Sequence, residues 1–185
     1  MELRSLVEQP FELLQELERR ARAALSASEP DSESTEEWVG IAFRLGSENF
    51  VANRTDVREV MPLPEALTRV PGAKPWLRGV TNVRGQLMTI VDLRAFLGSG
   101  SGAPDRRSRV LVLASRDVPT GLIVDQVFGF RRFSASEYEA EAPAPRLRCE
   151  QYLRGAYRRA SEVWPQFDFS ALLEDQHFLN AGESH

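Results

Sequence analysis

Cysteine, histidine and lysine are all scarce in this chain of 185 residues. Its one cysteine, Cys149, excludes an internal disulfide and fits a reducing compartment. The two histidines, His177 and His185, lie near the C-terminal end, and no Cys/His pair has metal-ligand spacing. The single lysine is Lys74. The sequence therefore predicts neither a disulfide framework nor a bound metal or cofactor.

Long hydrophobic runs are missing as well. The first 20 residues carry charges throughout, which excludes a secretory signal or a membrane-spanning helix in that stretch, so a cytoplasmic location is expected. The net charge of −4 argues against a general attraction to nucleic acid or anionic membrane. With 42% hydrophobic residues, the chain has enough apolar side chains for a globular core.

Composition divides the chain into three zones. Residues 1–25 predict a helical extension, because Phe11, Leu14, Leu17 and Ala21 recur at three- and four-residue spacing. Residues 26–37 are rich in serine and acidic side chains and are expected to be a disordered linker. The remainder, to about residue 178, has the pattern of short β-strands.

The strand zone shows alternation and frequent turn signals. Val39, Ile41, Phe43 and Leu45 are separated by single residues, which is typical of a strand. The run 87–93 is apolar at most positions and suits a strand buried on both faces. Short strands without long helices between them indicate small barrels rather than a parallel α/β sheet. A short helix should close the zone, with Ser170 as its N-cap.

Signatures of catalysis are absent from the sequence. There is no Gly-x-Ser-x-Gly elbow, and the glycine-rich loop at 98–105 lacks the context of a phosphate-binding loop. Asp92 and Asp125 lie in apolar strands and should cap strand ends or pair with an arginine. Arg148 beside Cys149 leaves a redox role as a minor alternative. The protein is expected not to be an enzyme.

Single-stranded nucleic acid is an alternative ligand. Three clusters combine arginine with apolar or aromatic residues, and small β-barrels bind single strands with such surfaces. The clusters are Arg131-Arg132-Phe133, Arg146-Leu147-Arg148 and Tyr157-Arg158-Arg159. The acidic total weighs against this alternative.

The most informative stretch is residues 75–97, PWLRGVTNVRGQLMTIVDLRAFL. It resembles the signature of CheW-like domains, a Gly-Val-x-Asn-x-Arg-Gly hairpin followed by an apolar strand ending in Val-Asp-Leu-Arg. Residues 57–60 (VREV), 121–127 (GLIVDQV) and 152–173 resemble further family segments in the expected order. The sequence of residues 71–87 and the helical prefix are most similar to the branch of the family that serves type IV pilus chemosensory systems.

The resemblance implies an all-β fold of two SH3-like five-stranded barrels packed side by side, with short helices. Barrel one would comprise residues 38–58 and 150–178, barrel two residues 59–149, and residues 179–185 a tail. It also implies a scaffold that couples a chemoreceptor's cytoplasmic tip to the regulatory domain of a CheA-type histidine kinase, near membrane receptor arrays. Control of twitching motility would follow from the pilus branch.

The site residues follow from the same resemblance. Glu59, Asn82, Arg84 and Gly85 would bind the receptor, and Val57 and Val60 would contact the kinase. The alternative for Arg84 and Glu59 is a structural surface salt bridge, worth about 0–1 kcal/mol. The alternative for the two valines is core packing, and alternation suggests that one is buried and the other exposed. The prefix helix is either a docking element or a weakly helical tail.

Overall fold

The computed structural model describes residues 37–100, 102, 104–114 and 119–182. The predicted helix of residues 1–25 and residues 26–36 of the predicted linker lie outside the described residues, as does His185, whereas Glu37, the last residue of that linker, begins the first strand. Within the described part, strands dominate and helices are short, which confirms the predicted all-β class. The strands are β1 (Glu37–Leu45), β2 (Glu48–Asn53), β3 (Val57–Pro62), β4 (Leu77–Val83), β5 (Gln86–Asp92), β6 (Arg109–Leu113), β7 (Thr120–Val124), β8 (Gln126–Ser134), β9 (Tyr138–Glu139), β10 (Leu153–Arg159) and β11 (Glu162–Phe167).

Among the described residues, three short α-helices accompany the strands: α1 (Leu93–Phe96), α2 (Phe169–Glu174) and α3 (Gln176–Leu179). The predicted N-cap of the terminal helix was wrong by two residues. Asp168 is the cap, and its carboxylate accepts hydrogen bonds from the backbone N–H groups of Ser170 and Ala171 at 3.0 and 3.2 Å. A second cap, Asp175, ends α2 and begins α3.

The strands form two sheets. The first has the order β8-β1-β2-β11-β10-β9, and the second has the order β3-β6-β7-β5-β4. Each sheet is mixed, because β11 runs parallel to β2 and β5 runs parallel to β7. Strand β8 pairs with β1 over Glu37–Arg44, so it belongs to the first sheet, whereas the expected barrel boundaries put residues 126–134 in the second barrel.

The described residues form three hydrophobic clusters, of which one joins the two sheets. The largest combines Phe43 and Phe167 of the first sheet with Leu111 and Leu122 of the second, so the main core lies between the sheets. A second cluster, with Trp164, belongs to the first sheet, and a third, with Met88 and Ile90, belongs to the second. Strand β1 contributes Phe43 to one cluster and Ala42 to another, which explains why both of its faces are buried.

The loop between β3 and β4 is fixed at two points. Thr68 forms a bridge with Val80, and Ala73 forms a bridge with Gly182 near the C-terminus. The first bridge requires glycine at position 79, where the φ angle is +142° and a Cβ atom would collide with the carbonyl oxygen of Thr68. The loop therefore lies against both β4 and the C-terminal segment.

Candidate adaptor surface

The β4–β5 hairpin places Arg84 at its tip. Arg84 and Gly85 both have positive φ angles, +52° and +83°, as a two-residue type I′ turn requires. The side-chain oxygen of Asn82 accepts a hydrogen bond from the Gly85 backbone N–H at 2.8 Å and thereby stabilises the turn. Glycine suits this conformation, but arginine does not, so the turn accepts some strain at the position that carries the charged group.

Arg84 makes a two-pronged ion pair with Glu59 of β3. Its Nη1 donates to Oε2 at 2.9 Å and its Nη2 donates to Oε1 at 2.7 Å. In hydrogen-bonding order β3 and β4 are opposite edges of the second sheet, so this contact joins the two edges. The Arg84 side chain is 76% exposed and that of Glu59 is 27% exposed. An open concavity beside the pair is lined by Arg58, Glu59, Val83, Arg84 and Gln86.

The two valines of β3 differ in burial, as alternation indicated. Val57 is half-buried and packs against the main core. Val60 is exposed at 37%. Val60 is therefore available for contact with another protein, whereas Val57 contributes mainly to the fold.

One exposed apolar residue of this region was missed from the sequence. The run 87–93 was expected to be buried on both faces, but Leu87 is 66% exposed. Leu87 lies opposite Asn82 in the antiparallel register, and opposed residues share a face of the sheet. The polar Asn82 was the signal that could have placed Leu87 on the exposed face, and Leu87 adds apolar area beside Arg84.

The two strand aspartates have structural partners, as expected. Asp92 caps α1 by accepting a hydrogen bond from the Ala95 N–H at 3.0 Å. Asp125 accepts a hydrogen bond from the Gly46 N–H at 2.5 Å and pairs with Arg94 at 3.5 Å. Both carboxylates therefore stabilise chain turns.

The remaining candidates for chemistry are packed or isolated. Cys149 is buried, and burial, followed by the charges of Glu48 and Glu150, raises the pKa of its thiol to about 12. Arg148 therefore does not activate the thiol. His177 lies with its Nδ1 3.4 Å from Lys74 Nζ. Among the described residues no group of three or more His, Cys, Asp or Glu side chains could hold a metal ion.

Several arginines that suggested nucleic-acid binding are matched by carboxylates. Arg131 lies 3.9 Å from Glu162, and Arg132 lies 3.5 Å from Glu37. Two further pairs join neighbouring elements at hydrogen-bonding distance: Arg158 with Glu139 at 2.6 Å and Arg159 with Glu137 at 2.5 Å. These ion pairs offset positive charge that would otherwise attract the phosphates of a nucleic acid.

In the part of the chain that the structure describes, no helix is both long and apolar enough to span a bilayer.

Comparison with known proteins identifies the family. The model of the CheW-like domain matches residues 39–177. Protein PilI of Pseudomonas aeruginosa is 37% identical over 174 residues, which cover 94% of this chain and 97% of that protein. Chemotaxis protein CheW of Bacillus subtilis is 24% identical over 141 residues, covering 76% of this chain and 90% of that protein.

A solved structure supports the fold. The crystal structure of scaffolding protein TtCheW from Thermoanaerobacter tengcongensis matches with a TM-score of 0.65 and 21% sequence identity. The match covers 76% of this chain and 94% of that chain. The domain model, the similarity to PilI and the fold agree. This chain therefore belongs to the CheW-like family.

Proposed function

We propose that the protein is a non-catalytic adaptor that couples a chemoreceptor to a CheA-type histidine kinase. The pathway would control twitching motility through type IV pili, since the resemblance to PilI extends over 94% of the chain. The observation that carries the proposal is the ion pair of the exposed Arg84 with Glu59 at a strained hairpin tip. An adaptor needs only contacts whose strength depends on the state of the receptor.

The receptor would bind at the hairpin tip. Arg84 presents a guanidinium group that is mostly exposed although both of its Nη atoms contact Glu59. Planar guanidinium groups form forked hydrogen bonds with carboxylates and side-chain or backbone oxygens of a partner. Asn82 and Gly85 would fix the turn, and Glu59 would orient the arginine.

The kinase would contact β3 and the neighbouring apolar surface. Val60 supplies exposed apolar area there, and Val57 supports the strand from the core side. Burying an exposed valine side chain in an interface contributes about 1 kcal/mol, so this contact requires further residues beside Val60.

The receptor proposal is tested by charge reversal at Arg84. We expect Arg84→Glu to abolish capture of a receptor cytoplasmic fragment, because the forked donor is replaced by an acid facing Glu59. Arg84→Asn should also abolish capture, and it suits the positive φ angle of the turn better than arginine does. Circular dichroism should show both variants folded, within about 1 kcal/mol of the parent in unfolding free energy.

A matched control is Arg132→Glu on the first sheet. The Arg132 side chain is 75% exposed and pairs with Glu37, so it resembles Arg84 in exposure and partner. It should leave receptor capture unchanged. If folded Arg84 variants capture the receptor as well as the parent does, then Arg84 has only a structural role.

The kinase proposal is tested by Val60→Ser. We expect at least a fivefold loss of affinity for the kinase regulatory domain, about 1 kcal/mol, from lost apolar contact, measured by isothermal titration calorimetry. Val70→Ser is the matched control, because Val70 is 40% exposed and lies outside β3. If both variants bind the kinase regulatory domain with equal affinity, Val60 is not part of the kinase interface.

A further inference from the structure

Arg58 of β3 carries a positive charge that no other described residue balances. Its side chain is exposed, and its guanidinium group makes no hydrogen bond or ion pair with another described residue. The neighbouring carboxylate of Glu59 is already occupied, because both of its oxygens accept hydrogen bonds from Arg84. Glu59 is therefore matched by Arg84, and the charge of Arg58 is left for a group outside the described part of the chain.

A break in strand pairing sets the position of Arg58. Val57 pairs with Leu113 of β6 and Glu59 pairs with the next residue, Val112, so Arg58 is the extra residue of a β-bulge. Bulges are common at sheet edges, and they redirect a side chain away from the regular alternation of its strand. Strand β3 is an edge of the second sheet in hydrogen-bonding order. The bulge therefore adds an unpaired arginine to the edge at which Glu59 meets the hairpin tip.

Arg58 and Arg84 line the same open concavity beside the hairpin. Glu59, Val83 and Gln86 complete its lining, and its volume of about 650 Å³ leaves room for a side chain of a partner. The lining carries two positive charges and one negative charge. The concavity is therefore positive on balance, although the whole chain has a net charge of −4.

An acidic side chain complements this lining. A carboxylate accepts forked hydrogen bonds from a guanidinium group, and the amide of Gln86 is a further possible donor. A basic side chain would meet two arginines instead, and such like-charge contacts exclude wrong partners. The charge of the concavity thus favours a partner that presents aspartate or glutamate.

We propose that this concavity binds an aspartate or glutamate side chain of the chemoreceptor's cytoplasmic tip, and that Arg58 selects receptors that carry it. The inference rests on the proposed adaptor function, to which it adds a specificity residue and the charge of the partner group. Arg84 remains the main receptor contact at the hairpin tip, and Arg58 provides the second guanidinium group.

The test compares the full-length parent with Arg58→Gln and Arg58→Glu. Binding of a purified receptor cytoplasmic fragment is measured by surface plasmon resonance at about 0.05 M and about 0.5 M salt. At low salt we expect Arg58→Gln to bind roughly three- to tenfold more weakly and Arg58→Glu more weakly still, mainly through slower association. At high salt the differences should shrink, because dissolved ions screen exposed charges.

Arg54→Gln is the matched control. Arg54 lies in the 3₁₀ turn Arg54–Asp56 just before β3, is exposed, and has no side-chain partner among the described residues. It does not line the concavity, so Arg54→Gln should bind the fragment like the parent. An equal loss of affinity for Arg54→Gln and Arg58→Gln would show a general effect of charge and would overturn the inference.

A charge swap identifies the partner group. Single replacements of each aspartate and glutamate of the receptor tip by arginine should include one that weakens binding to the parent and restores binding to Arg58→Glu. If Arg58→Gln binds like the parent while Arg84→Glu does not bind, the inference is wrong and the adaptor function stands. If the parent itself binds no receptor fragment, the proposed function is wrong and the inference fails with it.

Discussion

Arg84 adopts a backbone conformation that arginine disfavours. A non-glycine residue in the left-handed region costs about 1–2 kcal/mol, and asparagine or glycine would reduce that cost in a type I′ turn. Its exposed ion pair with Glu59 returns about 0–1 kcal/mol. Stability therefore does not explain arginine at this position, whereas the proposed presentation of a guanidinium group to a partner would.

Glu137 provides a residue-scale test of the ion pairs. Hydrogen bonds from Arg159 and from the Ser134 backbone N–H lower the pKa of its carboxyl from 4.5 to about 2. A lowered pKa in the folded state gives stability that is present above pH 4.5 and is lost as the pH falls towards about 2. We expect Glu137→Gln to be about 1 kcal/mol less stable than the parent at pH 7.

The measurement is urea unfolding of the parent and Glu137→Gln at several pH values. The difference in unfolding free energy between the parent and Glu137→Gln should shrink as the pH falls from 4.5 towards 2. Glu139→Gln is the matched control, since the Glu139 carboxylate pairs with Arg158, accepts no backbone hydrogen bond from the described residues and is more exposed, 42% against 20%. Its effect should be smaller, and a pH-independent difference for Glu137→Gln would contradict the account.

At the scale of elements, helix capping decides where the C-terminal segment turns. Asp168 caps α2 and also pairs with Arg154 of β10. Asp175 caps α3 and accepts a hydrogen bond from the Tyr152 hydroxyl at 2.5 Å. The two aspartates therefore orient the two short C-terminal helices.

We expect Asp168→Ala to lower the unfolding free energy by about 1–2 kcal/mol, because two backbone N–H groups of α2 lose their acceptor. Asp168→Asn should cost less, since the amide oxygen can still cap the helix. Ser170→Ala, at the position that the sequence favoured as cap, should be within about 0.5 kcal/mol of the parent. Thermal and urea unfolding measure all three, and a larger loss for Ser170→Ala than for Asp168→Ala would contradict the assignment.

The local sequence pattern predicted the strands but not which residues pack against them. The alternation of Ile41, Phe43 and Leu45 predicted β1, yet it did not show that intervening Ala42 is buried too, because that depends on sheet pairing far along the chain. The cap was misplaced because serine and aspartate have similar local preferences. Arg84 and Glu59, 25 residues apart, were associated only by family resemblance, and their distance needed the fold.

At the scale of the whole molecule, two sheets share one hydrophobic core, and the exposed residues that we propose bind partners lie outside that core. The main hydrophobic cluster spans both sheets, so the relative position of the sheets is fixed by packing. The hairpin tip with Arg84 and the strand with Val60 belong to the same sheet. Receptor and kinase contacts would then be connected through β-structure that is rigidly held, as an adaptor requires.

As an adaptor of the proposed kind, this chain would make kinase activity depend on the receptor. The most direct measurement is autophosphorylation of the CheA-type kinase with receptor-containing membranes, in the presence and absence of the purified protein. We expect the receptor to change the kinase rate only when the protein is present, and we expect Arg84→Glu to abolish that change while still binding the kinase. An unchanged rate with the parent protein, or full coupling by Arg84→Glu, would contradict the account.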